Sequence, residues 1–529
     1  MSANLSIASM ASKSLSVNSL SRTIYLIVGC LAISFPLWAQ QELQGIQQFP
    51  PNIYLDTAFA PFYYGVASGD PDTNRVMLWT RVSPTAQETV TLEWEIASDS
   101  LFSQLVNKGQ IQATASTDWT VNIDADKLHA GGIYYYRFKS ASGKYSQVGR
   151  ARTLPTKSAQ KVRLAIASCS SIYSGFFNAY RRIGERNDID FMVHLGDYIY
   201  DFVDEDEEFR VPLPYPTEPN SLQEYRERHK YYLADPDLRY ARQRQTWIAV
   251  WDNHDILSST PEITEQAKQA FFEYLPIRKQ NDPQEPYLIY RSFQLGNLAE
   301  LFITDQDSYK QKGKKNGEKT VLGKKQLDWL KSGLSSSTAT WHLIGSQKQM
   351  ASWYSRGLPK GLPGDGYYFN PGDWDGFPEE RAAILGHLKE NNIQNNVVLS
   401  GDMHMSFAEN IPLDPLDRKT YDRSTGKGSI AVEFLPTSIS RGNFDEQGIP
   451  PAFIPTAQEI SNSVNPHHVY TEFSKHGYGI LDIRSERCVA EFWYVPKLEI
   501  SSKQSFGVGL KVENGNDHWN WQLLAEPTQ

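Results

Sequence analysis

The chain has 529 residues, and 52 Lys and Arg against 61 Asp and Glu give it a formal net charge of −9. Apolar residues make up 40% of the sequence and charged residues 21%, proportions typical of globular proteins that exclude a disordered chain or a fibrous repeat. The length predicts two or three domains. The mild acidity, without a block rich in Lys and Arg, argues against a stable nucleic-acid partner or the coating of an anionic membrane.

The first 39 residues have the pattern of a secretory signal peptide. A Ser-rich start is followed by Arg22, an apolar run from Ile24 to Trp38, and Ala39 as a small residue for cleavage. An uncleaved signal anchor is the alternative, although the run is short for a membrane span and contains Pro36. We therefore expect an exported protein, periplasmic, secreted or on the cell surface, with no membrane span after processing.

Residues 40–155 predict a small all-β domain. Apolar and polar residues alternate in short runs between turn signals, which is typical of a β-sandwich. The runs are Val76 to Trp79, Val90 to Ile96 and Gly132 to Phe138. No cluster of His or Cys occurs in this part of the sequence, so we expect it to serve packing and positioning. Leu154 to Ser158 reads as a linker.

Residues 156–529 predict a layered α/β domain, because apolar strands now alternate with helical stretches. The predicted strands are Val162 to Ala167, Phe191 to Leu195, Trp247 to Trp251, Leu298 to Thr304, Trp341 to Gly345, Val397 to Leu399, Ile430 to Leu435 and Tyr478 to Ile483. Potential metal ligands follow four of them: Cys169, Asp197 with Tyr200, Asn253 with His254, and Asp402 with His404. Open α/β sheets bind ligands at the carboxyl ends of their strands, so these side chains can converge on one point.

The chemistry of this set suits a hydrolytic metal centre. A thiolate together with a phenolate favours trivalent iron or another strongly Lewis-acidic ion over magnesium alone. Asp197 can bridge two cations, which would clamp phosphoryl oxygens and lower the pKa of a bound water that then attacks the ester. His254 follows Asn253 directly, so we expect it outside the coordination sphere as a proton donor or charge stabiliser.

Each of these residues also has a simpler interpretation when it is taken alone. A Gly-Asp pair is a common turn after a strand. Cys169 could be a small buried residue or form a disulfide with Cys488, and Tyr200 could belong to the core. The joint placement of all of them after buried strands favours the metal site.

Several longer motifs are more specific than the single residues: Gly65-Val66-Ala67-Ser68-Gly69-Asp70-Pro71, Leu78-Trp79-Thr80-Arg81, His194-Leu195-Gly196-Asp197-Tyr198-Ile199-Tyr200, Tyr225-Arg226, Asp235-Pro236-Asp237-Leu238, Asn253-His254, Ile289-Tyr290-Arg291-Ser292-Phe293, Trp374-Asp375-Gly376-Phe377, Gly401-Asp402-Met403-His404 and Gly477-Tyr478. Together they resemble a known family, the PhoD-like alkaline phosphatases and phosphodiesterases of the metallophosphoesterase superfamily. The resemblance implies a metallophosphoesterase-like four-layer αββα sandwich, preceded by an immunoglobulin-like or fibronectin-like domain.

The resemblance also implies a centre with iron (Fe³⁺) and calcium. Iron would be held by Cys169, Asp197, Tyr200 and His404, with Asp197 bridging to calcium. Asn253 and Asp402 would complete the calcium side, and His254 would be the catalytic residue that binds no metal. The implied substrates are small phosphomonoesters and phosphodiesters, hydrolysed outside the cytoplasm to scavenge phosphate.

Two departures from the family pattern affect the expected site. Family members carry Trp-Asp-Asp-His-Glu where this chain has Trp251-Asp252-Asn253-His254-Asp255, so a neutral amide replaces an anionic ligand and calcium should bind more weakly. The family's Asp-Thr-Arg segment corresponds to Thr304-Asp305-Gln306-Asp307-Ser308-Tyr309, and Asp307 stands where an arginine could face phosphate. Either another base such as Arg291 or Arg381 binds the phosphate, or the substrate preference differs.

An acidic run from Asp201 to Glu208 follows Tyr200 and reads as a solvated loop beside the site rather than a further calcium site. If it overhangs the mouth, it would repel polyanions and favour small phosphoesters. Three hypotheses follow: an exported metal-dependent phosphohydrolase, an enzyme of the phosphodiesterase or phospholipase D type that acts mainly on diesters, and an inactive surface-binding protein. Asn253 and Asp307 are the features that support the third.

Overall fold

The structure is a computed structural model that describes residues 55–84, 86, 89–201, 218–258, 260–280, 282–313, 319–355 and 367–528. The proposed signal peptide and positions 202–208 of the acidic run lie outside these residues. Among the helices in the described ranges, none has the length and hydropathy needed to cross a membrane.

Strands and helices are numbered in chain order. The strands are β1 (Val66–Gly69), β2 (Val76–Arg81), β3 (Val90–Ala97), β4 (Leu105–Ala113), β5 (Thr120–Ala125), β6 (Ile133–Ser140), β7 (Gly149–Arg152), β8 (Val162–Ala167), β9 (Phe191–His194), β10 (Thr246–Ala249), β11 (Arg291–Leu295), β12 (Ala299–Ile303), β13 (Trp341–Gly345), β14 (Asn396–Leu399), β15 (Ser406–Pro412), β16 (Ser429–Leu435), β17 (His468–Glu472), β18 (His476–Arg484), β19 (Arg487–Val495) and β20 (Ser505–Glu513). The α-helices are α1 (Asn178–Glu185), α2 (Leu222–Tyr232), α3 (Pro236–Arg244), α4 (Asn253–Ile256), α5 (Pro261–Tyr274), α6 (Gly323–Ser336), α7 (Pro378–Glu390) and α8 (Ile454–Val464).

Two large mixed sheets form the centre of the fold. One has nine strands in the order β20-β19-β18-β8-β9-β10-β1-β2-β5, and the other has seven in the order β11-β12-β13-β14-β16-β15-β17. The sheets pack face to face, as shown by the ring of Phe492, whose centroid lies 5.0 Å from those of Phe434 and Tyr470 on the opposite sheet.

Helices cover the outer faces of both sheets. Leu330 and Leu334 of α6 and Ile384 of α7 pack with Ile344 and Val398 of the seven-stranded sheet in one apolar cluster. On the other side, α1 and α3 lie on the nine-stranded sheet, where the Trp247 indole donates to the α3 backbone. Two sheets between two helical layers make the αββα sandwich that the sequence predicted.

The all-β region is confirmed as well, and it shares a sheet with the rest of the chain. A four-stranded sheet, β4-β3-β6-β7, packs its apolar side chains against those of β1, β2 and β5. β1 also pairs in parallel with β10, with Ser68 opposite Thr246 and Gly69 opposite Trp247. The sequence did not indicate the pairing of β1 with β10, because these strands are far apart in the chain.

The eight predicted strands of the α/β region are all present, with ends that differ by at most two residues. β8 and β13 have the predicted bounds, whereas the Trp247 to Trp251 prediction corresponds to Thr246–Ala249. β8, β9 and β10 run in parallel in one sheet, and β12, β13, β14 and β16 in the other. The carboxyl ends of these parallel strands carry the candidate ligands.

Candidate metal centre

Sharp backbone turns follow the strands that lead to the candidate ligands. Cys169, Asp197, Asp402 and His404 all have positive φ, between 52° and 66°. Residues other than glycine adopt this left-handed backbone conformation at a cost of roughly 1–2 kcal/mol, and residues in this conformation cluster at functional sites. Gly196 (φ 100°) makes the turn after β9 possible, because a Cβ there would lie 2.4 Å from Cβ of Asp252.

Four of the predicted ligands converge on one point. The ligand atoms of Cys169, Asp197 and His404 lie within 4.8 Å of one another. The Tyr200 hydroxyl donates to Asp197 Oδ2 at 3.0 Å and lies 3.3 Å from His404 Nε2. These side chains come from the ends of β8, β9 and β14, which are separated along the chain but meet at the edge where the sheets face each other.

Burial sets the protonation of this cluster. It raises the pKa of the Cys169 thiol and of the Tyr200 phenol well above their usual values, and the Asp197 carboxylate adds to both shifts. It lowers the pKa of His404 to about 4, so the imidazole is neutral and has a lone pair for a metal. A bound multivalent cation would reverse the first two shifts, because coordination deprotonates a thiol.

The two cysteines beyond residue 39 are both free and buried. Cys488 lies in β19, where it is opposite Val512 and Ile483. The alternative of a disulfide between Cys169 and Cys488 is therefore wrong, and the Cys169 thiol is available as a ligand.

A second group of oxygen atoms lies beside the first. Ligand atoms of Asp197, Asp252 and Asp402 lie within 4.8 Å of one another. Asp252 is fully buried and directly precedes α4, and its backbone N–H donates to Asp255 Oδ2 at 2.9 Å. The sequence analysis quoted Asp252 only as part of a motif, so this carboxylate is an addition to the predicted set.

A lysine occupies the middle of this second group. Lys348 Nζ lies 2.6 Å from Asn253 Oδ1, 2.6 Å from Asp402 Oδ1 and 2.9 Å from Asp252 Oδ1. Burial alone would lower the pKa of Lys348, but Asp252 and the other carboxylates outweigh it and raise that pKa.

The signal for Lys348 was present in the sequence. It follows β13 by three residues, the same spacing that separates Asp197 from β9 and Asp402 from β14.

His254 lies at the border of the two groups. Its backbone N–H donates to Asp197 Oδ1 at 3.2 Å, and its Nδ1 lies 2.8 Å from Asp201 Oδ1. The imidazole stacks on the Tyr200 ring, with 4.3 Å between the centroids. Burial alone would lower the pKa of His254, but Asp197 and Asp201 outweigh it and raise that pKa above its usual value.

Comparison with known proteins decides the family. The sequence model of the PhoD-like phosphatase matches residues 164–492, and that of the PhoD-like phosphatase N-terminal domain matches residues 52–155. The chain belongs to the PhoD-like phosphatase family. Alkaline phosphatase D of Bacillus subtilis (strain 168) is 32% identical over 438 residues, which cover 75% of this chain and 73% of that relative. A solved structure described as "Structure of PhoD" is 28% identical, with a TM-score of 0.76 over 89% of this chain and 94% of the other.

Membership in the PhoD-like family confirms the resemblance and makes the protein a phosphoric ester hydrolase. The two sides of its centre differ in how well they fit the metals that the resemblance implies. The buried thiol, phenol, carboxylate and neutral imidazole around Asp197 are the donor set expected for iron. The Asn253 and Asp402 side does not fit calcium, since the Lys348 ammonium already contacts the oxygens that would bind it.

The two arginines expected to bind phosphate have other partners. Arg291 binds Asp70 Oδ1 through Nη2 at 2.5 Å and Nε at 3.2 Å, and donates to the carbonyls of Ile289 and Ala249. Arg381 binds Asp375 at 2.7 Å and the carbonyl of Met350. Both guanidinium groups are thus neutralised inside the fold, which argues against the predicted contact with phosphate.

A different arginine lies at the cluster. The Arg441 guanidinium carbon lies 5.3 Å from the centroid of the Tyr200 ring, and the Arg441 backbone N–H donates to the Cys169 carbonyl at 3.2 Å. The residue is nearly buried and follows β16, another parallel strand of the second sheet. Arg441 was not among the predicted site residues, although it follows a predicted buried strand in the sequence.

Asp307 also lies at the site. It forms an ion pair with Lys310 at 3.0 Å, and its other carboxylate oxygen is 3.9 Å from Lys348 Nζ. Asp307, which stands in place of the family's arginine, therefore helps to neutralise Lys348 and Lys310.

Proposed function

We propose that this protein is an exported, iron-dependent hydrolase of small phosphomonoesters and phosphodiesters that releases phosphate for scavenging. The observation that carries the proposal is the convergence of Cys169, Asp197, Tyr200 and His404 within reach of a single ion. A thiolate and a phenolate in one donor set select a strongly Lewis-acidic ion. The family supplies the reaction class, and the donor set supports iron as the metal.

In this proposal the four side chains hold iron, which when bound polarises the phosphoryl group as a Lewis acid. His404 takes part as a neutral imidazole because burial lowers its pKa to about 4. Two neighbouring side chains hold the backbone of His404, since Asn443 Nδ2 and Thr437 Oγ1 both donate to its carbonyl. These contacts fix the turn that aims the imidazole at the cluster.

We assign proton donation to His254. The carboxylate of Asp201 accepts from Nδ1, which fixes the tautomer and the orientation of the ring. Asp197 and Asp201 raise the pKa of His254, which favours the protonated form that can protonate a leaving alkoxide. Stacking on Tyr200 holds the ring plane beside the cluster. Asp201 therefore acts as a positioning residue.

The substrate class follows from charge. Arg441 provides a guanidinium next to Tyr200, and such a planar fork suits the oxygens of a phosphoryl group. Export is supported by the pattern of residues 1–39. Metal loading then follows translocation, because the ligands belong to strands that meet only in the folded protein.

Elemental analysis of the purified protein, combined with hydrolysis of a chromogenic monoester and a chromogenic diester at alkaline pH, tests the proposal. We expect iron in the protein and turnover of both esters, with loss of turnover when iron is removed. Metal-free protein with full activity would refute iron dependence. Turnover of the diester alone would favour the phosphodiesterase hypothesis, and iron-loaded protein inactive on both esters would refute the proposed substrates.

A further inference from the structure

The environment of Lys348 departs most clearly from the metal site that the resemblance implies. Its ammonium nitrogen has three close oxygen neighbours from three different residues: Asn253, Asp402 and Asp252. An ammonium group has three N–H donors and no acceptor. Two of its contacts, to Asn253 Oδ1 and Asp402 Oδ1, are hydrogen bonds, and the contact to Asp252 Oδ1 is an ion pair.

We propose that the ammonium of Lys348 is a built-in second cation of this centre, so that the protein binds iron alone and has no calcium site beside it. This inference rests on the proposed function for the iron side. It concerns the oxygens of Asp252, Asn253 and Asp402, which come from the ends of β10 and β14. Lys348 reaches them from the end of β13, the strand that pairs with β14.

The first support is that the backbone around Lys348 is fixed. The Lys348 N–H donates to Gln306 Oε1 at 3.2 Å, and the Ser346 hydroxyl donates to the Lys348 carbonyl at 2.5 Å. The Gln306 side chain is held in turn, since its Nε2 donates to Ser346 Oγ at 2.6 Å. The main chain thus directs the lysine stem inward, and the side chain is only 5% exposed.

The second support is the balance of charge. A buried ammonium is costly unless carboxylates surround it, and here Asp252 and Asp402 are in contact while Asp307 lies 3.9 Å away. Asp307 is itself held by Lys310 at 3.0 Å. Carboxylates thus surround the Nζ position, and the lysine supplies a positive charge there.

The third support is coordination chemistry. Calcium takes about 6–8 oxygen ligands at about 2.3–2.6 Å. One oxygen from each of Asn253, Asp402 and Asp252 already contacts Nζ, and that of Asn253 belongs to a neutral amide.

Calcium titration of the iron-loaded protein and of two lysine variants tests the inference. Lys348→Ala opens the position and leaves the oxygens in place, whereas Lys310→Ala removes a neighbouring half-buried lysine that pairs with Asp307 and Asp373 instead. We expect Lys348→Ala to bind one more calcium ion per chain than the wild type by calorimetry and elemental analysis, and Lys310→Ala to bind the same number as the wild type. Saturating calcium should raise the Tm of Lys348→Ala by about 2 °C or more and leave that of the wild type unchanged.

Equal calcium counts in the wild type and Lys348→Ala would overturn the inference. If Lys348→Ala does not fold, the visible absorption of the wild-type iron protein decides instead, because a phenolate such as Tyr200 on iron absorbs visible light. An unchanged band in millimolar calcium supports the inference, and a shifted band contradicts it by placing calcium next to Asp197. All of these measurements are independent of turnover, and protein without iron would instead refute the proposed function.

Discussion

Replacing Arg291 with methionine should weaken the fold and leave phosphoester binding unchanged. The guanidinium holds the carboxylate of Asp70, which is 1% exposed, and also binds two backbone carbonyls. Arg291→Met leaves that buried carboxylate with the Arg278 backbone N–H as its remaining hydrogen-bond donor. Breaking a buried pair on one side costs about 3–5 kcal/mol.

The expected change in Tm follows from the size of the protein. At ~2.1 cal/mol/K per residue, unfolding a chain of this length has an entropy of about 1 kcal/mol/K, so Tm should fall by about 3–5 °C. Differential scanning calorimetry measures this fall, and steady-state kinetics on a chromogenic monoester measures KM.

An exposed pair provides the matched control. Arg75 pairs with Asp72 at 3.3 Å, but their side chains are 46% and 40% exposed, so Arg75→Met should cost no more than about 1 kcal/mol. The double variant Asp70→Asn with Arg291→Met should lose less stability than the two single variants together, because the unpaired charge is gone. An unchanged Tm together with a tenfold rise in KM for Arg291→Met would refute the structural role and restore Arg291 as a phosphate ligand.

Three further predictions concern the cluster and the core. Cys169→Ser should lose iron, measured by elemental analysis, while Cys488→Ser, which changes an equally buried free thiol, should keep it; equal iron in both would remove the thiol from the site. Asp201→Asn should keep iron and lower kcat by about 10-fold or more. It should also move the alkaline limb of the plot of kcat against pH to lower pH, because His254 loses a neighbouring charge that raises its pKa. An unchanged pH profile would exclude a positioning role for Asp201. Burial raises the pKa of Glu409 to about 8, so its contribution to stability is present at acidic pH and declines as pH rises toward 8. Between about pH 6.5 and 8 the wild type should therefore lose about 2 kcal/mol relative to Glu409→Gln, seen as a falling Tm difference by calorimetry, and a constant difference would contradict the shift.

Local patterns were sufficient to predict most of the buried strands. β8 and β13 are continuous apolar runs with turn residues on both sides, and their ends match the prediction. β4 was not predicted, because its sequence is mostly polar and its residues are largely exposed or half-buried at the edge of a sheet. The parallel pairing of β1 with β10 was also out of reach, since it depends on contacts between distant segments.

In the candidate site, too, local patterns predicted some residues, whereas others depend on contacts between distant parts of the chain. Cys169, Asp197 and His404 could be predicted because a metal-binding side chain directly after a buried parallel strand is a local signal. Lys348 carried the same positional signal, but a lysine is normally solvated, and its burial depends on carboxylates from other strands. The partner of Arg291 could not be predicted for a similar reason, since Asp70 is 221 residues away in sequence.

The position of β8 within its sheet has a consequence for the order of assembly. This strand leads to Cys169, and its neighbour on one side is β18, which is followed by β19 and β20 near the end of the chain. A nascent chain therefore exposes one edge of β8 until its last strands have been made and have docked. The donor set itself needs the ends of β8, β9 and β14 to meet, so on the proposed function iron would bind only after these strands have folded together. On the proposed export route, a chain still being threaded through a channel cannot yet hold its metal.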